Sequence, residues 1–129
     1  MSEADLLRAA KIVSIVDDDE AFRLATGSLV RSFGRQTHLF GSAEEFLRSG
    51  CLNETACVIS DVMMPGMSGV EMLIRMRALH YQIPTIFITS FPTADLTSRA
   101  LAAGALVVLG KPVEPDAIGH WLRVALDEP

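Results

Sequence analysis

The stretch "ACVISDVMMPGMSGVEM", residues 56–72, is an apolar run that delivers one acid, Asp61, and then stops at Met64-Pro65-Gly66. Near-continuous apolar residues with β-branching, bounded by Pro and Gly, read as a strand buried on both faces. A carboxylate at the end of such a strand is placed at the rim of a sheet, where a chain aims groups that do chemistry.

Working outward, similar runs lie at Ile12 to Val16, Thr85 to Thr89 and Ala105 to Leu109, with a weaker one at Gln36 to Phe40. Segments of helical length separate them, so strand and helix alternate five times. That pattern predicts a parallel sheet covered by helices on both faces, an α/β doubly wound domain. Helix starts are marked at Ser42-Ala43-Glu44-Glu45 and Ser68-Gly69-Val70-Glu71, both of which fit a capping box. Pro115 suits the first turn of a final helix, whose stripe Ile118, Trp121, Leu122 and Ala125 has core-facing spacing. Phe22, Ala25, Leu29 and Phe33 form the corresponding stripe of the first helix, where Gly27 costs about 1 kcal/mol against Ala.

The chain has 129 residues, half of them hydrophobic and 21% charged, which suits one soluble globular domain. Residues 1–10, "MSEADLLRAA", read as a lead and residues 11–127 as the domain. With 11 Lys and Arg against 16 Asp and Glu the formal charge is −5, and no basic stripe offers itself to phosphates, so direct nucleic-acid binding is not expected. No apolar run approaches the ~20 residues that span a bilayer and no signal peptide opens the chain, which points to a cytoplasmic protein without membrane contact. Cys51 and Cys57 lack metal-site spacing and read as reduced structural thiols; His38, His80 and His120 read as surface or packing residues.

In an open parallel sheet, functional groups follow the strands. Asp17, Asp18 and Asp19 follow the first, Asp61 the third, Thr89 and Ser90 the fourth, Lys111 and Pro112 the fifth. Asp19 alone reads better as a helix cap, Lys111 as a surface lysine and Thr89 as a strand residue; it is their joint placement that points to a site. Acids brought this close resist ionising together unless a cation joins them. A hard divalent ion of the Mg²⁺ kind takes carboxylates, waters and a phosphate oxygen. A lysine and a hydroxyl suit the other phosphate oxygens, so the set fits phosphoryl transfer to a carboxylate.

"IVDDDEAFR" (15–23), "VISDVMMPGMSGVEML" (58–73), "IFITS" (86–90) and "GALVVLGKP" (104–112) resemble, in order and spacing, the signature regions of the receiver domain of bacterial two-component response regulators. The resemblance runs from Lys11 to about Leu126, and "FGSAEEFL" (40–47) is similar to the subgroup carrying a helix-turn-helix output domain of the nitrogen-fixation-regulator type. It implies a flavodoxin-like (βα)5 domain with strand order 2-1-3-4-5. It also implies Asp61 as phosphoacceptor, Mg²⁺ held by Asp17, Asp18, Asp61 and the carbonyl of Met63, Thr89 as the switch hydroxyl, and Lys111 as the phosphate-binding lysine, its bond to Pro112 cis. The partners implied are a sensor histidine kinase and an output domain or downstream protein, with a homodimer on phosphorylation. Such a domain is a signalling switch rather than an enzyme.

The chain departs from the family at Val108, where most relatives carry an aromatic ring, and at Val113. Met63 and Phe91 stand where side chains set the lifetime of the phosphoryl group, and neither orients a water. A flavin-binding protein of this fold would place a Ser/Thr/Gly loop after the first strand, where three aspartates stand. An aspartyl phosphatase of the haloacid-dehalogenase type would need an Asp where Met63 is. A degenerate receiver acting only as an interaction module would not need intact acids and lysine. Pro129 ends the chain directly after the last helix, leaving no output domain in it; a stand-alone receiver and a part of a transcription regulator both fit, and the subgroup likeness favours the second.

Overall fold

The computed structural model describes residues 12–127. Five strands, β1 (Ile12–Val16), β2 (Gln36–Phe40), β3 (Thr55–Asp61), β4 (Thr85–Thr89) and β5 (Val107–Gly110), form one sheet in the order β2-β1-β3-β4-β5, all neighbours parallel. The helices between them are α1 (Glu20–Ser32), α2 (Ala43–Arg48), α3 (Gly69–Ala78), α4 (Ala94–Ala102) and α5 (Pro115–Ala125), with a 3₁₀ turn at Leu52–Glu54 before β3. Strand β5 starts two residues later than the apolar run suggests, because Gly104 takes φ +109° and only Leu106 N–H, donating to Thr85 O at 2.9 Å, reaches the sheet before Val107.

Side chains alternate across a strand, and here the alternation divides the core. Val13, Ile15, Cys57, Ile59, Ile86 and Ile88 face Val30 of α1 and Ile118 and Leu122 of α5. On the opposite face Val16 and Val58 meet α2 and α3 through Phe46, Met72 and Met76, while Phe87 meets Leu73, Leu96 and Ala100 of α3 and α4. The central strands β1 and β4 are buried along their whole length, and the edge strands β2 and β5 are mostly half-buried. Helix α2 spans only 6 residues, too few to persist alone. Fully burying Phe46 supplies roughly 1.5–3 kcal/mol towards holding it.

The caps largely follow the sequence. Asp19 caps α1, its side chain accepting from Phe22 N–H at 3.2 Å, and Ser68 with Glu71 forms a complete capping box on α3. At α2 the box is half made. Ser42 accepts from Glu45 N–H, but the Glu45 carboxylate reaches one residue further back, to Gly41 N–H at 3.0 Å. On α1 the fully buried residues are Thr26, Gly27 and Val30; of the expected stripe, Phe22 and Leu29 are half-buried against the same core, while Ala25 is exposed and Phe33 is 41% exposed. That stripe lies towards α5. Phe22, Ala25 and Leu29 line a hollow of about 140 Å³ with Val113 and Ile118, and Phe33 fills the space beside Gly119. Gly27 has a packing reason: a Cβ there would come within 3.0 Å of Leu39 Cδ2 on β2.

Gly69 fixes the join between β3 and α3. Its N–H donates to Val62 O at 2.8 Å, and a Cβ would stand 2.5 Å from Asp61 O and 2.8 Å from Phe87 Cε1. Gly69→Ala therefore gains up to about 1 kcal/mol of helix propensity against roughly 1–3 kcal/mol of overpacking on backbone that cannot swing aside. The expected outcome in urea unfolding is a net loss of about 1 kcal/mol or more; a variant as stable as the parent would mean that the end of β3 yields freely.

Candidate functional site

Three loops at the carboxyl ends of β1, β3 and β5 bring charged side chains to one place. One carboxylate oxygen from each of Asp17, Asp18 and Asp61 lies within 4.8 Å of the others. Lys111 Nζ donates to Asp61 Oδ2 at 3.1 Å and to Asp17 Oδ2 at 3.4 Å, closing ion pairs with both. Asp17 is 1% exposed and Asp61 9%, whereas Asp18 is exposed.

Each group is held by the element that delivers it. Asp17 follows β1, its N–H bonded to Phe40 O of β2, and its Oδ1 accepts from Asp19 N–H at 2.9 Å. Arg23, one turn into α1, donates Nη1–H to Asp17 O at 2.6 Å. Asp61 ends β3, and its Oδ1 accepts from Met63 N–H at 3.1 Å. Met63 thus touches the site through its backbone while its side chain is 60% exposed. Lys111 follows β5, its N–H bonded to Thr89 O at 2.8 Å, and the Lys111-Pro112 bond is cis. Thr89 is fully buried at the end of β4, its Oγ1 accepting from Phe91 N–H at 3.2 Å.

Burial pushes the Asp17 carboxyl above its ordinary value, opposed by the Asp19 amide and the Lys111 charge and helped by the Asp61 charge. An ion-paired acid would ordinarily be pulled down; here lost hydration outweighs the pairing. Burial alone would lower Lys111, but its hydrogen bond to Asp61 and the two carboxylate charges outweigh that and leave the ammonium raised. Lys111 is charged at neutral pH.

Two supporting residues were not assigned to the site from the sequence, where Phe22 was placed only on the stripe of the first helix. Lys111 Nζ sits 4.1 Å from the centroid of the Phe22 ring, a cation–π contact beneath the ammonium. Arg23 clamps the carbonyl of Asp17 from the same helix turn. Their place in "DDDEAFR", on the first turn after the acids, was the available signal. The acids, all oxygen donors within coordinating reach, fit a hard divalent ion such as Mg²⁺. The structure also joins His38 to Cys51 and Glu54, 13 and more positions further along the sequence.

Among the described residues no helix is long and apolar enough to cross a membrane. A family model for the response regulator receiver domain matches residues 13–123. Nodulation protein W of Bradyrhizobium diazoefficiens is 40% identical over 101 residues, covering 78% of this chain and 44% of that protein. Response regulator protein TodT of Pseudomonas putida is 37% identical over 117 residues, covering 91% of this chain and 52% of TodT. The chain thus spans about half the length of the curated relatives it matches. Among solved structures, the crystal structure of FixJ-N superimposes with a TM-score of 0.82 at 30% identity, covering 92% of this chain and 95% of that one. A receiver domain from Methanospirillum hungatei JF-1 gives 0.83 at 28% identity, covering 91% and 94%. Its fold, its rim of acids with one lysine, and these likenesses agree: the chain belongs to the response regulator receiver domain family.

Proposed function

We propose that this domain takes a phosphoryl group onto Asp61 from a phosphohistidine of a sensor histidine kinase, or from a small acyl phosphate, and passes the change to a partner surface. The observation that carries the reading is the Asp17, Asp18 and Asp61 cluster bridged by Lys111 Nζ at 3.1 and 3.4 Å. An Asp61 carboxylate oxygen attacks phosphorus, a new P–O bond forms, and the bond to the donor nitrogen or oxygen breaks with its electron pair leaving on the donor. Lys111 neutralises the oxygens of the transferring group, and the Thr89 hydroxyl donates to one of them. Asp17, Asp18 and Asp61, with the Met63 carbonyl, would hold Mg²⁺, which supplies charge compensation for the phosphoryl oxygens.

The product is a shifted surface rather than a released molecule, so the domain works as a switch and not as an enzyme. Its relatives include FixJ of Bradyrhizobium diazoefficiens, named a transcriptional regulatory protein, 34% identical over 114 residues. We read the present domain likewise as the cytoplasmic input unit of a transcription regulator, its output domain or a second copy of the chain reading the change, with no contact to membrane or nucleic acid of its own.

Incubation with acetyl phosphate and Mg²⁺ should add one phosphoryl group by mass spectrometry, and Asp61→Asn should abolish it; uptake that persists in the variant would overturn the reading. Met63 and Phe91 are 60% and 69% exposed beside the site, and neither side chain orients an attacking water. After removal of the donor, the phosphorylated form should outlast that of a Met63→Asn variant; decay within seconds in the parent would rule this out.

One of these acids, Asp17, weakens the metal-free domain. Because burial raises Asp17, the native state holds its proton more tightly than the unfolded chain, so ionising it costs native stability. That cost is absent below the ordinary value of 3.8 and complete above the raised native one. Asp17→Asn keeps the acceptor for Asp19 N–H and removes the charge. In the absence of metal it should raise the thermal midpoint at neutral pH, the gain shrinking as the pH falls towards 3.8. With Mg²⁺ the order should narrow or reverse; a variant less stable than the parent in metal-free buffer would refute the argument.

A further inference from the structure

Away from the acid rim, His38 on β2, Cys51, and Glu54 in the 3₁₀ turn each bring one ligand atom to within 4.8 Å of the other two. The turn lies at the opposite end of β3 from Asp61, six residue steps or about 20 Å along the strand. The cluster is therefore separate from the phosphoacceptor.

The composition of the cluster decides what it suits. Sulfur, imidazole nitrogen and a single carboxylate disfavour Mg²⁺ and Ca²⁺, which take oxygen ligands. They favour a borderline divalent ion of the Zn²⁺ class, bound tetrahedrally by three protein groups with water in the fourth place. The two such clusters among the described residues are thus sorted by ligand hardness. Glu54 is exposed and His38 and Cys51 are half-buried, so an ion can enter from solvent.

A second observation points the same way. His38 Nδ1 is buried and has no hydrogen-bond partner; the ring packs edge-to-face with Phe40, centroids 6.4 Å apart. Edge packing alone would leave that nitrogen both stripped of water and unsatisfied, a cost that proteins rarely carry without a reason. The Cys51 side chain packs at the margin of the α2–α3 core, and its thiol makes one weak hydrogen bond, Sγ to Ser49 O at 3.9 Å, which a metal can displace. The other thiol is unsuitable: Cys57 is fully buried, and burial pushes it up to about 12.

We propose that His38, Cys51 and Glu54 form a second metal site, for a Zn²⁺-class ion, that ties the edge strand β2 to the turn feeding β3. On binding, the Cys51 thiol gives its proton to solvent as the sulfur–metal bond forms. The ligands come from separate parts of the chain, so the ion binds the folded form in preference and stabilises it by mass action.

Co²⁺ is the probe, because a thiolate ligand gives an intense sulfur-to-cobalt charge-transfer band, and the acid rim has no thiol, its sulfur being the thioether of Met63. With the protein reduced and Mg²⁺ in excess to fill the rim, Co²⁺ should raise that band. Cys51→Ser should remove it and Cys57→Ser should leave it. His38→Gln and Glu54→Gln should each weaken binding by at least the roughly 10- to 100-fold that loss of a ligand's outer partner costs. Zn²⁺ should displace Co²⁺ and raise the thermal midpoint of the parent, and should do so less in these variants, whose folding is checked by unchanged phosphoryl uptake. Absence of the band, its survival in Cys51→Ser, or indifference to both His38→Gln and Glu54→Gln would overturn the proposal.

Discussion

One ammonium, Lys111 Nζ, faces the carboxylates of Asp17 and Asp61 at 3.4 and 3.1 Å, and the rim of the sheet is organised about that contact. Three acids share one lysine there, in a place where Asp17 is 1% exposed. Buried charge of this kind stabilises little by itself, because the lost hydration competes with the pairing. The direction of Asp17 shows burial winning. The rest of the fold supplies what the pairing lacks: a backbone amide from Asp19, another from Met63, the Phe22 ring under the ammonium, and Arg23 on the carbonyl of Asp17.

That arrangement explains why the core is built as it is. Strands β1 and β3 are adjacent, with Val16 beside Ser60, so the next residues, Asp17 just past β1 and Asp61 at the end of β3, emerge side by side. Gly69 lets α3 start directly against Asp61 O, where any side chain would push the strand end away. The site is thus held by close approach of rigid elements, as positioning to a fraction of an ångström requires.

Strand positions, the Asp19 cap, the Ser68–Glu71 box and the order of the acids and lysine were legible in the sequence, because each rests on local pattern or on the rule that groups follow strands. What was not legible depends on which element packs on which. The α1 stripe at Phe22, Ala25 and Leu29 has helical period, but period alone does not distinguish a face towards the sheet from one towards α5. Glu45 bonds the Gly41 amide, one residue before the cap, a choice between neighbouring amides that residue spacing does not specify. His38 and Cys51 are 13 positions apart with no shared motif, and only the pairing of β2 against β1, with β3 on the other side, brings them together.

The replacement of a ring by Val108 bears on how a change at the rim can travel. Val108 lies opposite Phe87 in the β4–β5 register and packs on the cluster that holds α4. That helix is lightly attached: of its residues only Leu96 and Ala100 are buried. Its start is tied to Thr89 through a short path, with Phe91 N–H on Thr89 Oγ1, Thr93 N–H on Phe91 O at 2.8 Å, and Thr93 capping Leu96. If Thr89 turns its hydroxyl to a phosphoryl oxygen as proposed, the bond to Phe91 must follow or break. A single neutral hydrogen bond contributes only about 1 kcal/mol, less than a bond to a charged oxygen returns. The loop and the first turn of α4 can therefore move by this exchange of hydrogen bonds, without a swinging ring.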